Sequence, residues 1–199
     1  MRAEHAVRKQ GKGMERLIYD GMSVYRRGNG TSLAQVCGRI AALQNLYPTL
    51  EVRIPNKPRI SPTIHTLEAA EVRRKKNLLG HLKLSTVIKE VFANVPSLSE
   101  SMVVVMDQVD TSTDPNSMAK FIEISPRDED FERLQNERGN VLSVLNNLAL
   151  SSSLEWPVKP CNMTVAYVPL EIQDSVVNPI LKTVDEMLPI EVTLHSATY

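Results

Sequence analysis

The stretch EWPVKPCNMTVAYVP, residues 155–169, governs how the rest of the chain is read. A proline-punctuated lead-in gives way at Cys161 to NMTVAYVP, which is rich in apolar and β-branched residues and meets no turn former before Pro169. Such a run is a core strand. Residues i and i+2 of a strand face the same way, so Asn162 and Thr164 share one side. A carboxamide and a hydroxyl placed together can donate hydrogen bonds to an oxyanion. Neither titrates near neutral pH, so this strand on its own moves no proton.

The flanking segments extend the pattern. DEDFERLQNERGNVLSVLNNLAL places acidic residues in its first turn and Phe131, Leu134, Val141, Leu145 and Leu148 at helical spacing, which predicts an amphipathic helix with a weak point at Gly139. Before it, MVVVMDQV and AKFIEIS flank the turn-rich DTSTDPNS and read as an antiparallel pair. After the quoted strand come a helix over roughly residues 174–187, interrupted by Pro179, and a last strand IEVTLHSA.

The N-terminal half is less regular. Residues 14–27 read as a helix, GNGTS breaks it, and Thr31 or Ser32 caps a second helix, SLAQVCGRIAALQNLY, giving a helical hairpin that ends near Pro48. LEVRIP alternates like a strand and NKPRISP reads as a loop. A helix from Thr66 to about Leu79 is closed by Gly80, and HLKLSTV then reads as a strand with His81 and Lys83 on one side. A short helix over 86–94 ends at Pro96. The expected organisation is a basic helical extension, residues 1–48, followed by an α+β domain, residues 49–199, with mostly antiparallel strands covered by helices.

Charge is divided along the chain. Residues 1–89 contain 17 Lys or Arg against 6 Asp or Glu, net +11, and residues 90–199 contain 6 against 17, net −11. A basic half attracts phosphates or acidic surfaces, unless the two halves neutralise one another by packing together. Arg73, Arg74, Lys75 and Lys76 are candidate nucleic-acid contacts, with Arg53, Lys57 and Arg59 near them in sequence. The competing reading of such a run is a solvated helix face. Arg2, Arg8, Lys9, Lys12, Arg16, Arg26 and Arg27 are candidates to grip RNA or an acidic protein partner. Only Tyr19, Tyr25 and Tyr47 are interleaved with these charges, too few for a base-stacking platform.

With two cysteines, Cys37 and Cys161, the sequence lacks the ligands of a disulfide framework or a cysteine-rich zinc site, and a reducing, cytoplasmic setting is expected. Cys161 beside Asn162 reads as a packed thiol. There is no apolar run of bilayer length, so no membrane association is expected. Walker-type, dinucleotide and His-Glu-x-x-His motifs are missing, and neither a cofactor nor a metal is expected.

His81-Leu82-Lys83 and Asn162-Met163-Thr164, with the strand pair and the DEDFERL helix between them, resemble the two-histidine (2H) phosphoesterases, which include RNA 2′,3′-cyclic phosphodiesterases. The resemblance spans roughly residues 50–199. It implies a two-lobed fold in which two His-x-Thr/Ser strands face each other across a phosphate-binding cleft. Each motif is half kept: Lys83 stands where the first motif has its hydroxyl residue, and Asn162 where the second has its histidine. The resemblance thus implies His81 and Thr164 as catalytic residues if the chain is active, and Lys83, Asn162 and Thr164 as phosphate ligands. Loss of one acid–base partner forfeits about 10²- to 10⁴-fold in rate. The expectation is an impaired phosphoesterase that binds RNA or a nucleotide phosphate. Two alternatives stand beside it: an active phosphodiesterase using His81 with His195 or Lys83, and an assembly protein that keeps the fold as a scaffold.

Overall fold

The computed structural model describes residues 7–8, 16–17, 21–46, 51–56, 58, 60–61, 65–68, 84–114, 118–148 and 161–198. Its strands are β1 (Val7–Arg8), β2 (Arg16–Leu17), β3 (Gly21–Val24), β4 (Gly28–Asn29), β5 (Ile60–Ser61), β6 (His65–Glu68), β7 (Met102–Asp114), β8 (Ala119–Pro126), β9 (Asn162–Pro169) and β10 (Ile190–Leu194). The helices are α1 (Thr31–Leu46), α2 (Leu84–Asn94), α3 (Asp128–Asn147) and α4 (Asp174–Asp185), with a 3-10 turn at Pro96–Ser99.

The β7–β8 hairpin is the centre of the molecule. Its ladder runs from Asp114↔Ala119 to Met106↔Pro126, with one irregularity between Met106 and Gln108. Around it a six-stranded sheet forms in the order β4-β10-β7-β8-β9-β5, and every pairing in it is antiparallel. The two edges of this sheet meet: Gly28 N–H donates to the Pro58 carbonyl at 2.9 Å, and Ile60 N–H donates to the Arg26 carbonyl at 3.2 Å. Edge backbone groups that would otherwise be open are thereby paired. At this seam a Cβ on residue 28 would lie 2.4 Å from Met163 Cε and 3.0 Å from Val192 Cγ1, so a larger residue there would force the Met163 side chain to move.

One face of the sheet is apolar. Val104, Met106, Ile122, Ile124, Met163, Val192 and Leu194 are buried against Leu33, Val36 and Ile40 of α1 and Val177, Ile180 and Val184 of α4. Both helices carry their contacts at i, i+3, i+7 spacing, which is why they lie flat on the sheet. A second apolar cluster joins Val87 and Val91 of α2 with Val95, Leu98, Val141 of α3 and Ala197. Because α1 contributes to the main core, residues 28–46 share a core with the sheet rather than standing off from it.

Several expectations are corrected. The expected helices over 14–27 and 66–79 give way, where described, to β3 and β6, which pair Gly21↔Glu68 through Val24↔His65. Long-range pairing overrides local helical spacing in such short segments. Ile60–Ser61 is a strand on β9 instead of loop, and its neighbour Pro58 sits at a sheet edge, where a missing N–H does no harm. LEVRIP contributes a single bridge, Arg53↔Tyr167, in place of a full strand. The strand expected over HLKLSTV is contradicted from Leu84 onward, where α2 begins. The stripe Val87, Ile88, Val91 has helical spacing, and its burial outweighs the short alternation before it. Finally, α4 continues through Pro179 without interruption. Placed in the second turn, this proline forgoes one backbone hydrogen bond, while Val177, Ile180 and Val184 all gain burial.

Candidate functional site

The face of β8 and β9 opposite the apolar core is polar. Ile122 and Ile124 point into the core, so Phe121, Glu123 and Ser125 point the other way. Glu123 pairs with Thr164 and Ile124 with Met163, which sets Ser125 beside Asn162. Thr164 Oγ1 donates to Glu123 Oε1 at 3.3 Å, and Asn162 Nδ2 donates to Glu123 Oε2 at 3.4 Å. Ser125 Oγ donates to Asn162 Oδ1 at 3.0 Å, fixing the carboxamide with its NH₂ toward the carboxylate. Glu123, Asn162 and Thr164 are all buried. Further along the same face Phe121 and Tyr167 make an edge-to-face pair with centroids 5.3 Å apart, and Arg53 bridges to Tyr167 through its backbone.

The expected convergence of Asn162 and Thr164 on one side is therefore present. Their common partner is a carboxylate that sequence reading had passed over. Its signal lay in FIEIS, where Phe121, Glu123 and Ser125 alternate with the two isoleucines. Chemically, both donors assigned to a phosphate face a group that repels phosphate, through contacts long enough to be weak. Each amide NH₂ carries a second proton, which leaves Asn162 capacity for one more acceptor.

Of the remaining candidates, His81, Lys83, Arg73, Arg74, Lys75 and Lys76 lie outside the described residues, as do Lys57, Arg59, Arg2, Lys9 and Lys12. His195 follows β10, which is three strands from β9 in either direction round the sheet, and it is exposed. It is therefore not placed beside Asn162. Arg26 is corrected outright: it is 1% exposed and pairs with Glu137, so it grips no partner. Arg27 stacks over Tyr25 at 5.6 Å and donates to its hydroxyl.

A second polar group gathers where α3 passes the start of β9. Gln135 Nε2 lies 3.8 Å from Cys161 Sγ. Burial pushes the Cys161 thiol up, and the nearby charge of Arg138 offsets part of that rise. The thiol is thus protonated and packed, as expected for a cysteine that is no nucleophile. Arg138 is 4% exposed, and among the described residues its Nη1 has no hydrogen-bond partner. Sequence reading missed this residue too, although it falls between Leu134 and Val141 on the apolar stripe of α3, where a charge has no ordinary reason to be.

No protein-family model matches the sequence, and no curated protein matches it. Two solved structures of Usb1 from Kluyveromyces marxianus are similar to this chain at 12% identity, each alignment covering 84% of this chain and 81% of that one. The first superposes with a TM-score of 0.49, and the second, solved with uridine monophosphate, with a TM-score of 0.51. Helices laid on a mostly antiparallel sheet, as the sequence implied, make this an α+β fold similar to that of Usb1.

Proposed function

We propose that the chain is a 2H-phosphoesterase-like protein that binds RNA or a nucleotide phosphate without efficient turnover. The observation that carries this reading is Asn162: it occupies a buried position on the polar face of β9, hydrogen-bonded between Ser125 and Glu123, where the family motif has a proton-carrying histidine. An amide fixed in that way orients a ligand and transfers no proton. In support, one structure with a similar fold was solved with uridine monophosphate. On this reading Lys83, Asn162 and Thr164 hold phosphate, His81 is the remaining acid–base group, and Arg73, Arg74, Lys75 and Lys76 contact the RNA backbone.

The test is a pair of measurements on purified protein. Uridine monophosphate and a short RNA should bind with a salt-dependent affinity that falls when residues 73–76 are neutralised. Hydrolysis of 2′,3′-cyclic UMP should stay near background in the same preparation. Turnover that His81→Ala abolishes would replace this reading with an active phosphodiesterase. One observation favours the scaffold reading instead, namely that Glu123 already engages the donors of Asn162 and Thr164. That reading requires that neither nucleotide nor RNA bind at all.

A further inference from the structure

Asparagine is among the residues that time and heat degrade, and the route is intramolecular: the backbone nitrogen of the next residue attacks the side-chain carbonyl carbon. Attack is easiest when that next residue is glycine, which has no side chain to obstruct it. Asn29-Gly30 is the only Asn-Gly pair in the sequence. Asn29 is exposed at the end of β4, and the Gly30 N–H donates to Asn29 Oδ1 at 2.8 Å. That contact folds the side chain back over the following peptide, so the nitrogen already lies beside the carbonyl group whose carbon it would attack. The glycine is also hard to exchange, because its φ of +145° is one that side chains rarely adopt.

We infer that Asn29 is a self-modification site, which in the folded protein converts to a succinimide and then to aspartate and isoaspartate. In the first step hydroxide takes the Gly30 N–H proton, the nitrogen bonds to Asn29 Cγ, and the Cγ–Nδ2 bond breaks as the amide leaves as ammonia. Water then opens the ring. Cleavage of the new N–Cγ bond leaves aspartate, whereas cleavage between the Gly30 nitrogen and the main-chain carbonyl carbon of residue 29 leaves isoaspartate, with the chain routed through Cγ. Either product puts a carboxylate just ahead of α1, whose first turn holds no acidic residue. An aspartate there meets the positive end of the helix dipole. Isoaspartate instead adds a methylene to the backbone of β4, at the residue that pairs with Thr193 and next to the bond from Gly28 to Pro58. The two products thus pull stability in opposite directions. None of this uses a residue of the proposed phosphate site, and the two readings stand or fall separately.

The test holds the full chain folded at neutral and at alkaline pH, and follows it by peptide mass mapping and by labelling with a methyltransferase specific for isoaspartate. The mass gain of amide-to-acid conversion should appear at Asn29 before any other asparagine, faster at alkaline pH, together with the isoaspartate label. Asn29→Gln should remove both from that peptide. Asn94, whose amide is held by Glu90 and whose next residue is Val95, and the buried Asn162 serve as internal controls and should remain amides over the same period. Asn29→Asp should melt about 1–3 °C above the parent, and aged protein rich in isoaspartate should melt below it. If Asn29 stays an amide in the folded chain and converts only in urea, the fold protects the pair and the inference is wrong. Conversion of Asn94 or Asn162 as fast as that of Asn29 would overturn it equally.

Discussion

Arg26 and Arg138 are equally hidden from water and meet opposite fates. Arg26 uses all five of its N–H donors: Nε and Nη2 on the carboxylate of Glu137, Nη2 also on the Ser97 carbonyl, and Nη1 on the carbonyls of Glu100 and His195. It thereby ties together the strand leading into β4, the 3-10 turn, helix α3 and the end of β10. Arg138, the very next residue of α3 after Glu137, has no partner for Nη1 among the described residues. Two neighbouring positions on one helix thus show what a buried charge does in each case. A saturated guanidinium is a structural pin, and an unsaturated one is a net cost to the fold.

The contrast is broken most directly at the pin. Arg26→Met leaves Glu137 buried with its cation gone and should cost about 3–5 kcal/mol, read as a lower urea midpoint with unchanged slope. Adding Glu137→Met should recover most of that loss, since an apolar pair of similar volume is often as stable as a buried ion pair. A double variant no better than the single would mean that the backbone carbonyls, not Glu137, dominate the cost. Arg138→Met should shift the same midpoint the other way.

Much of the sheet was legible in sequence because its strands are long and continuous. β7, β8, β9 and β10 alternate or run apolar over enough residues for burial to decide their state, and α1, α3 and α4 carry clean helical stripes. The failures cluster in β3, β5 and β6, each 4 residues or fewer. Such segments are strands only because a distant partner is present, and their own composition cannot announce that. The site divided similarly. Asn162 and Thr164 followed from the period of two within one strand, while Glu123 belongs to the site through register with a neighbouring strand. Arg138 needed both the helical stripe and the finding that its Nη1 has no hydrogen-bond partner among the described residues.

A smaller effect separates the polar face from the pin. Thr164→Val keeps the shape and removes one donor from Glu123, which retains Asn162. The loss should be about 1–2 kcal/mol by urea denaturation, toward the lower end because the contact is long. Thr164→Ser, which keeps the hydroxyl, should recover most of it. If Thr164→Val is neutral or stabilising, Glu123 does not depend on this face for its hydrogen bonds. Its carboxylate would then be free to act on a ligand.

The smallest effect inverts the arrangement of charges. Asp130 is buried, and the cations that hold it, Arg127 at 3.0 Å and Arg133 at 2.8 Å, are about half exposed. Burial alone would raise its carboxyl, but the Val105 N–H, Arg133 and Arg127 together hold it below the ordinary value. A carboxylate with a depressed folded-state pKa adds stability above its unfolded value, about 3.9, and that stability disappears as pH falls through the lower folded value. Asp130→Asn should therefore cost about 1 kcal/mol near neutral pH, with the exposed partners limiting the effect. The gap between parent and variant should hold down to about pH 5 and close as the solution is acidified below about pH 4. A gap that stays constant through that window would mean the aspartate acts on Val105 as a neutral acceptor does, with its two arginines contributing nothing measurable.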